Sequence, residues 1–182
     1  MTLRTKTMAL GMIAALGLAL PAQAATVDAT SVDAYTQGIG VSAVRGVTSK
    51  ALGAADGKFL SLGLGGSATF SFGGLFKPVG AVVEVTYGNI ARHKESVDVF
   101  GILKGITTYL GSIKNSDTGA FSFAGTFSQL KLVDTSPKKG GSTDGFDIDA
   151  LSVTLVPVPV PAGGVLLLTA LAAFGALRRR KA

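Results

Sequence analysis

The chain has 182 residues, a formal net charge of +6 and a mean hydropathy of +0.47, although only 15% of its residues are charged. This length predicts one domain with appended segments rather than several domains. Cysteine and tryptophan are absent and His93 is the only histidine, which excludes disulfide bonds, a cysteine nucleophile and a zinc site with several His or Cys ligands.

Residues 1–24 have the three-part organisation of a secretory signal peptide. Two basic residues precede an apolar run, and the small-x-small sequence that follows predicts cleavage between Ala24 and Ala25, with Ala22 as the second small residue. The run of 13 residues, 8–20, is shorter than the roughly 20 that a membrane-spanning helix needs. The alternative, a first buried helix of a cytosolic domain, fits this pattern less well.

Residues 25–156 are predicted to form an all-β domain. Short alternating runs rich in β-branched and aromatic residues are separated by turn residues, and no segment has a helical period of useful length. Eight strands at this spacing favour an antiparallel, jelly-roll-like β-sandwich. The predicted strands are 58–64, 68–72, 81–87, 96–103, 106–113, 120–127, 129–133 and 146–155.

The charge of this predicted domain is balanced. It contains eleven basic and eleven acidic residues, so the excess of six positive charges belongs entirely to the two ends of the chain. A protein that binds nucleic acid needs basic residues to neutralise phosphates. Nucleic acid is therefore not expected as a partner.

Residues 157–182 predict a membrane anchor with a basic end. A proline-rich stretch is followed by an uncharged helix over 162–177 and by the basic cluster Arg178, Arg179, Arg180 and Lys181. The positive-inside rule keeps this cluster in the cytoplasm and places the domain outside, in agreement with the signal peptide. The alternative is a buried core helix with a basic cap.

The same three-part order resembles the PEP-CTERM sorting domain, and the motif Val158, Pro159, Val160, Pro161, Ala162 resembles the Val-Pro-Leu-Pro-Ala variant with valine in place of leucine at position 160. The resemblance covers about the last 25 residues. It implies an exosortase-like protease as a partner, which cuts near the motif, and a Gram-negative bacterium that makes exopolysaccharide.

The domain itself resembles the galactose-binding-like sandwiches that accompany such sorting tails. The segments that carry this resemblance are 55–63, 70–73 and 144–150. Sugar binding uses aromatic platforms beside hydrogen-bonding side chains. The domain offers Tyr35, Tyr87 and Tyr109 but no tryptophan, and its phenylalanines fall mostly at core-like positions, which disfavours strong polysaccharide affinity.

Candidate catalytic and metal-binding residues are few. His93 stands between Arg92 and Lys94 in a predicted polar loop, so we expect it to be exposed rather than part of a catalytic triad. The cluster Asp144, Asp147 and Asp149 has three possible interpretations: buried carboxylates bonded to backbone amides, a calcium site, or a catalytic pair. We prefer the first interpretation, in which the carboxylates stabilise the fold, and assign no catalytic, cofactor-binding or metal-binding residue.

We therefore expect a non-enzymatic, exported cell-surface or extracellular-matrix protein that needs no cofactor. Its expected partners are the export translocon, an exosortase-like protease, the membrane through the C-terminal helix, and exopolysaccharide. It would pass through the inner membrane to the cell surface or medium, or stay tethered if the tail is never cut. The alternatives are a calcium-assisted carbohydrate-binding module and a secreted hydrolase.

Overall fold

The computed structural model describes residues 24–86, 92–117, 119–138 and 143–157. The predicted signal peptide up to residue 23, the sorting motif, the helix over 162–177 and the basic cluster lie outside these residues. Within the described ranges, no helix has the length and apolar character required to cross a membrane.

The described residues form an all-β, antiparallel structure, which confirms this part of the fold prediction. A single 3-10 turn at Thr48–Ala51 precedes the third strand among these residues. The strands are β1 Thr26–Asp28, β2 Ser31–Thr36, β3 Leu60–Ser61, β4 Ser67–Glu84, β5 Ser96–Leu103, β6 Ile106–Lys114, β7 Ala120–Ser122, β8 Phe127–Asp134 and β9 Asp147–Leu155.

The long strand β4 belongs to two halves of the sheet. Its first part pairs with β2 and β8, and the sheet continues through β5 to β6. Its second part pairs with β7 and β9, and β9 also pairs with β1 and β3. We call these the β8 half and the β9 half.

The prediction of two separate strands over 68–72 and 81–87 was wrong, because a single strand, β4, runs continuously from Ser67 to Glu84. Its pairing with β8 is interrupted between Ser71 and Phe76. Gly73 lies in this interval with a φ of 75°, a conformation that side chains disfavour and glycine adopts readily. The break in register thus lets one strand pass from one half of the sheet to the other.

Both halves contribute to a single apolar core. In β5 from Val97 to Gly101 and in β8 from Leu130 to Asp134 every second residue is buried, as the period of two requires for a sheet with one covered face. Fully burying each large apolar side chain contributes roughly 1.5–3 kcal/mol of transfer free energy. The largest fully buried side chains include Phe70, Phe72, Phe76, Phe146, Leu130, Leu132, Ile148 and Leu151.

The strand register defines two ends of the domain. At one end, which we call the distal pole, β4 and β8 terminate at Glu84 and Asp134, while β9 begins at Asp147. At the other end, the proximal pole, the backbone N–H of Leu155 donates to Ala25 and that of Val156 donates to Leu75. The described domain therefore begins and ends at the proximal pole.

Candidate functional site

The distal pole brings together polar side chains that are far apart in the sequence. Glu84 ends β4, Glu95 precedes β5, Asn115 follows β6, Asp134 ends β8 and Asp147 begins β9. Because antiparallel neighbours place the end of one strand beside the start of the next, these residues meet at one end of the sheet.

Asp134 is a buried carboxylate that holds several loops of this pole. It accepts hydrogen bonds from the backbone N–H groups of Gly65 at 3.0 Å, Phe146 at 3.0 Å and Ser136 at 3.2 Å. The Ser136 hydroxyl donates a fourth bond at 2.6 Å. Since ionised acceptors form the stronger hydrogen bonds of proteins, this one side chain fixes the loops that follow β3 and β8 and precede β9.

Asn115 performs the same task on the other side of the pole. Its side-chain oxygen accepts from the backbone N–H of Glu95 at 3.1 Å. Its amide nitrogen donates to the hydroxyl of Thr86 at 3.1 Å and to the carbonyl oxygen of His93 at 2.6 Å. The buried amide thereby ties the segment after β4 and the segment before β5 to the end of β6.

Two cavities open beside Asn115, and Asn115 and Lys114 line both of them. The larger has a volume of about 530 Å³ and the smaller about 210 Å³. The larger is lined by Lys94, Glu95, Ser96, Lys114, Asn115, Ser116 and Pro137. The smaller is lined by Ala81, Val82, Val83, Glu84, Ile113, Lys114, Asn115, Asp117, Gly119 and Phe146. Together they fall in the size range of small-molecule sites.

Glu84 places a carboxylate in the wall of the smaller cavity. Its Oε2 accepts a hydrogen bond from the Thr86 hydroxyl, whereas its buried Oε1 has no hydrogen-bond partner among the described residues. A buried acceptor without a donor is costly, so this oxygen is suited to receive a hydroxyl or N–H group from a bound molecule or water.

Asp147 lies close to the same carboxylate and is itself buried. Burial raises its pKa from 3.8 to about 7, and the negative charges of Asp144 and Glu84 act in the same direction. The hydroxyl of Ser61, which donates to Asp147, and the guanidinium of Arg45 lower the pKa by smaller amounts. The pole thus contains a carboxyl group that titrates near neutral pH.

The three aspartates considered as a calcium site have separate partners. Asp144 pairs with Arg45, Asp147 with Ser61, and Asp149 accepts the backbone N–H groups of residues 56 and 57 at 3.0 and 2.9 Å. Across the ranges that the structure describes, no group of three or more His, Cys, Asp or Glu side chains is arranged to hold a metal. The prediction that at least one is buried and bonded to backbone amides is confirmed by Asp149.

His93 and two of the predicted cleavage residues lie in described segments. His93 is exposed, as predicted, and contributes its backbone carbonyl to Asn115. Ala24 and Ala25 are exposed at the proximal pole. Ala22, the motif Val158 to Ala162 and the cluster Arg178 to Lys181 lie outside the described residues.

Sequence reasoning did not single out Glu84, Asn115 or Asp134. Asn115 lies between the predicted strands 106–113 and 120–127, but its hydrogen bonds reach residues 20 to 29 positions away. Asp134 continues the alternation of buried residues along β8, in which every second side chain points inward. A charged residue at such an inward-facing position is the one sequence signal that could have identified Asp134 as a site residue.

Comparison with known proteins gives distant structural similarity only. No family model matches the chain, and no curated protein does. The structure is similar to "CBM32 of AlyQ in complex with 4,5-unsaturated mannuronic acid", with 14% identity and a TM-score of 0.43 over 71% of this chain and 97% of that one. It is also similar to "Truncated AlyQ with CBM32 and alginate lyase domains", with 17% identity and a TM-score of 0.44 over 76% of this chain and 36% of that one. Similarity at this distance carries no argument about ligand or activity.

Proposed function

We propose that this chain is an exported, non-catalytic carbohydrate-binding protein whose domain is a jelly-roll-like β-sandwich. The saccharide binds in the two cavities of the distal pole. The observation that carries the proposal is the pair of cavities that share Asn115, a side chain that is already fixed by three hydrogen bonds.

The chemistry of the lining suits a ligand with many hydroxyl groups. Such a ligand needs hydrogen-bond donors and acceptors, and the residues that line the cavities include Lys94, Lys114, Ser116 and Glu84, whose side chains carry such groups. Because Asn115 holds the shared wall before any ligand arrives, less conformational entropy is lost on binding. Calcium has no part in this proposal.

Two of the buried carboxylates, Asp134 and Asp149, have structural duties that leave them unavailable as a catalytic pair. A glycosidase requires two carboxyl groups that both reach the scissile bond. Asp134 and Asp149 are instead acceptors for backbone N–H groups. These groups stabilise loops, so we assign them to the scaffold of the binding site.

Export and sorting form the second part of the proposal, and the two ends of the described domain show where the segments that they require would join it. Ala25 and Leu155 are joined by a 2.8 Å backbone hydrogen bond at the proximal pole. A signal peptide removed before Ala25 and an anchor that begins after residue 157 would therefore both attach at this pole. The cavities lie at the opposite, distal pole of the described domain.

In this proposal the motif over 158–162 is cut by an exosortase-like protease in a Gram-negative bacterium. The helix over 162–177 holds the precursor in the inner membrane, and the basic cluster 178–181 keeps its end in the cytoplasm. The processed domain then reaches the cell surface or matrix, where exopolysaccharide is the expected ligand.

Binding can be tested with an array of immobilised polysaccharide fragments, neutral and uronic-acid-containing. We expect the wild-type protein to be retained and the Lys94→Ala/Lys114→Ala variant to lose roughly tenfold or more in affinity. Lys77→Ala is the matched control, since Lys77 is exposed on β4 away from the cavities. Wild-type protein that binds no glycan, or a double variant that binds like wild type, would contradict the assignment.

Sorting can be tested by intact-mass spectrometry of the protein recovered from its native cells. The expected product begins at Ala25 and lacks the helix and basic cluster. An extracellular product that still carries residues 163–182 would overturn the sorting proposal and leave the binding proposal untouched.

A further inference from the structure

The outward side of the β8 half is a polar sheet face, and no part of the pole site uses it. Its residues stand in three rows across four strands, and all of them except the buried Thr69 alternate with the core residues of β4, β5 and β8. The rows, which define the polar face, are Ser67–Val133–Asp98–Ser112, Thr69–Lys131–Phe100–Tyr109 and Ser71–Gln129–Ile102–Thr107.

An exposed aromatic ring ends the middle row. Tyr109 is 55% exposed, and its ring packs edge-to-face on Phe100 with centroids 5.4 Å apart. Its hydroxyl lies 2.9 Å from that of Ser112, which donates to Asp98 at 2.5 Å. The ring is thus held by two neighbours while more than half of its surface faces solvent.

The far side of the face has a second fixed carboxylate. Asp33 of β2 accepts hydrogen bonds from Ser31 at 2.6 Å, from Gln129 at 2.5 Å and from the hydroxyl of Ser71. Asp33 is exposed, so it can accept further bonds from solvent or a ligand. Hydrogen-bonding groups therefore continue across the sheet from the strand of Tyr109 to β2.

We propose that the polar face is a second saccharide-binding surface, on which a linear, uncharged polysaccharide lies across the strands with one sugar ring stacked on Tyr109. Aromatic rings bind the C–H side of sugars, while their hydroxyls need the donors and acceptors that flank the ring. The site is separate from the distal pole and shares only the ligand class with the proposed function.

The dimensions and charge of the face determine the form of this ligand. The distance from β4 to β6 is three strand spacings, about 14 Å, which accommodates several sugar rings in a line. Lys131 is the one cation of the three rows, Asp98 is their one carboxylate, and Asp33 at their edge adds a second carboxylate, so the face carries a small excess of negative charge. A polyanion would meet two carboxylates and only one cation, so it would be repelled. An uncharged chain of hydroxyl groups can form hydrogen bonds with both the donors and the acceptors of the face.

The test uses the full chain in detergent and immobilised linear hexasaccharides of glucose, galactose and mannose. Tyr109→Ala is expected to weaken binding roughly tenfold, while Tyr109→Phe, which keeps the ring, stays within about twofold of wild type. Ile106→Ala is the matched control, because Ile106 is an exposed apolar residue of the same strand outside the three rows. Thermal unfolding of each variant verifies that the fold is retained.

The outcomes separate the two sites. If adding Tyr109→Ala to the Lys94→Ala/Lys114→Ala variant leaves its remaining binding unchanged, the polar face is not a binding surface. If Tyr109→Ala loses binding and Lys94→Ala/Lys114→Ala does not, the polar face stands and the assignment of the pole fails. Loss in both variants supports both sites, and a wild-type protein that retains no hexasaccharide overturns the polar face.

Discussion

The backbone N–H of Phe146 donates a 3.0 Å hydrogen bond to the carboxylate of Asp134, across a sequence separation of 12 residues. Asp134 ends β8 and Phe146 directly precedes β9, so this bond joins the two halves of the sheet at the distal pole. The ring of Phe146 is fully buried in the core and lines the smaller cavity. The geometry of the proposed site therefore depends on a contact between the halves that no single strand provides.

Asp134→Asn is expected to destabilise the protein by about 2–4 kcal/mol. The amide keeps one oxygen acceptor but replaces the other with an NH₂ group. This NH₂ group faces backbone N–H donors, and because it is itself a donor it cannot accept their hydrogen bonds. Urea unfolding followed by circular dichroism measures the change. Asp56→Asn is the control, since Asp56 is exposed, and it should shift the midpoint much less. Equal effects of the two substitutions would refute the role given to Asp134.

The pH dependence of stability should carry the signature of Asp147. Its pKa is raised from 3.8 to about 7 on folding, so the folded state binds this proton more tightly than the unfolded state. The contribution of protonated Asp147 to the free energy of unfolding is fully present below about pH 4 and is lost as the pH rises through 7. This difference in pKa between the folded and unfolded states corresponds to a change of at most about 4 kcal/mol in the free energy of unfolding.

Asp147→Asn isolates this contribution, because the amide oxygen can still accept the bond from Ser61 without burying a charge. The variant should be more stable than wild type at pH 8, and the difference should shrink by pH 5. Urea unfolding at both pH values measures it. A constant difference across this range would show that Asp147 does not titrate between them.

The strands were predictable where local alternation matches burial. The interval 96–103 was predicted in full, and 106–113 and 146–155 differ from β6 and β9 by one residue at one end. Two other predictions were too long: 58–64 contains only the two residues of β3, and 120–127 contains β7 and the first residue of β8. Turn residues within these runs end the pairing before the apolar pattern ends.

The remaining differences come from long-range pairing. β1 has three residues, and β2 contains a register irregularity between Val32 and Ala34, so neither presents a clear alternating run. The binding site was less predictable than the fold. Asn115 and Asp134 acquire their roles from backbone groups up to 69 positions away, and a local pattern contains no trace of such partners.

Close packing at Gly80 gives a prediction about the β9 half. A Cβ atom at this position would lie 1.8 Å from the carbonyl oxygen of Ser152 and 2.7 Å from its carbon, which are backbone atoms of the paired strand β9. Gly80→Ala must therefore separate β4 from β9, at a cost of about 3 kcal/mol or more.

Gly74→Ala is the matched control for that substitution. Its Cβ would meet only the side chain of Leu155 at 3.9 Å, which is an ordinary contact. The control should express and unfold like wild type, while Gly80→Ala should unfold at lower urea concentration. If both variants behave alike, the close approach of β4 and β9 at Gly80 is incorrect.

Calcium should leave the stability of the protein unchanged. Calcium takes six to eight oxygen ligands, yet Asp144 is paired with Arg45 and Asp149 is occupied by two backbone N–H groups. Binding would have to break these contacts, and the guanidinium of Arg45 would oppose the incoming cation. Calorimetric titration with calcium chloride should give no binding heat, and the melting temperature should be the same with calcium and with a chelator. Since a ligand that binds only the folded state raises its stability, a calcium-dependent rise in melting temperature would restore the calcium-assisted mode of sugar binding.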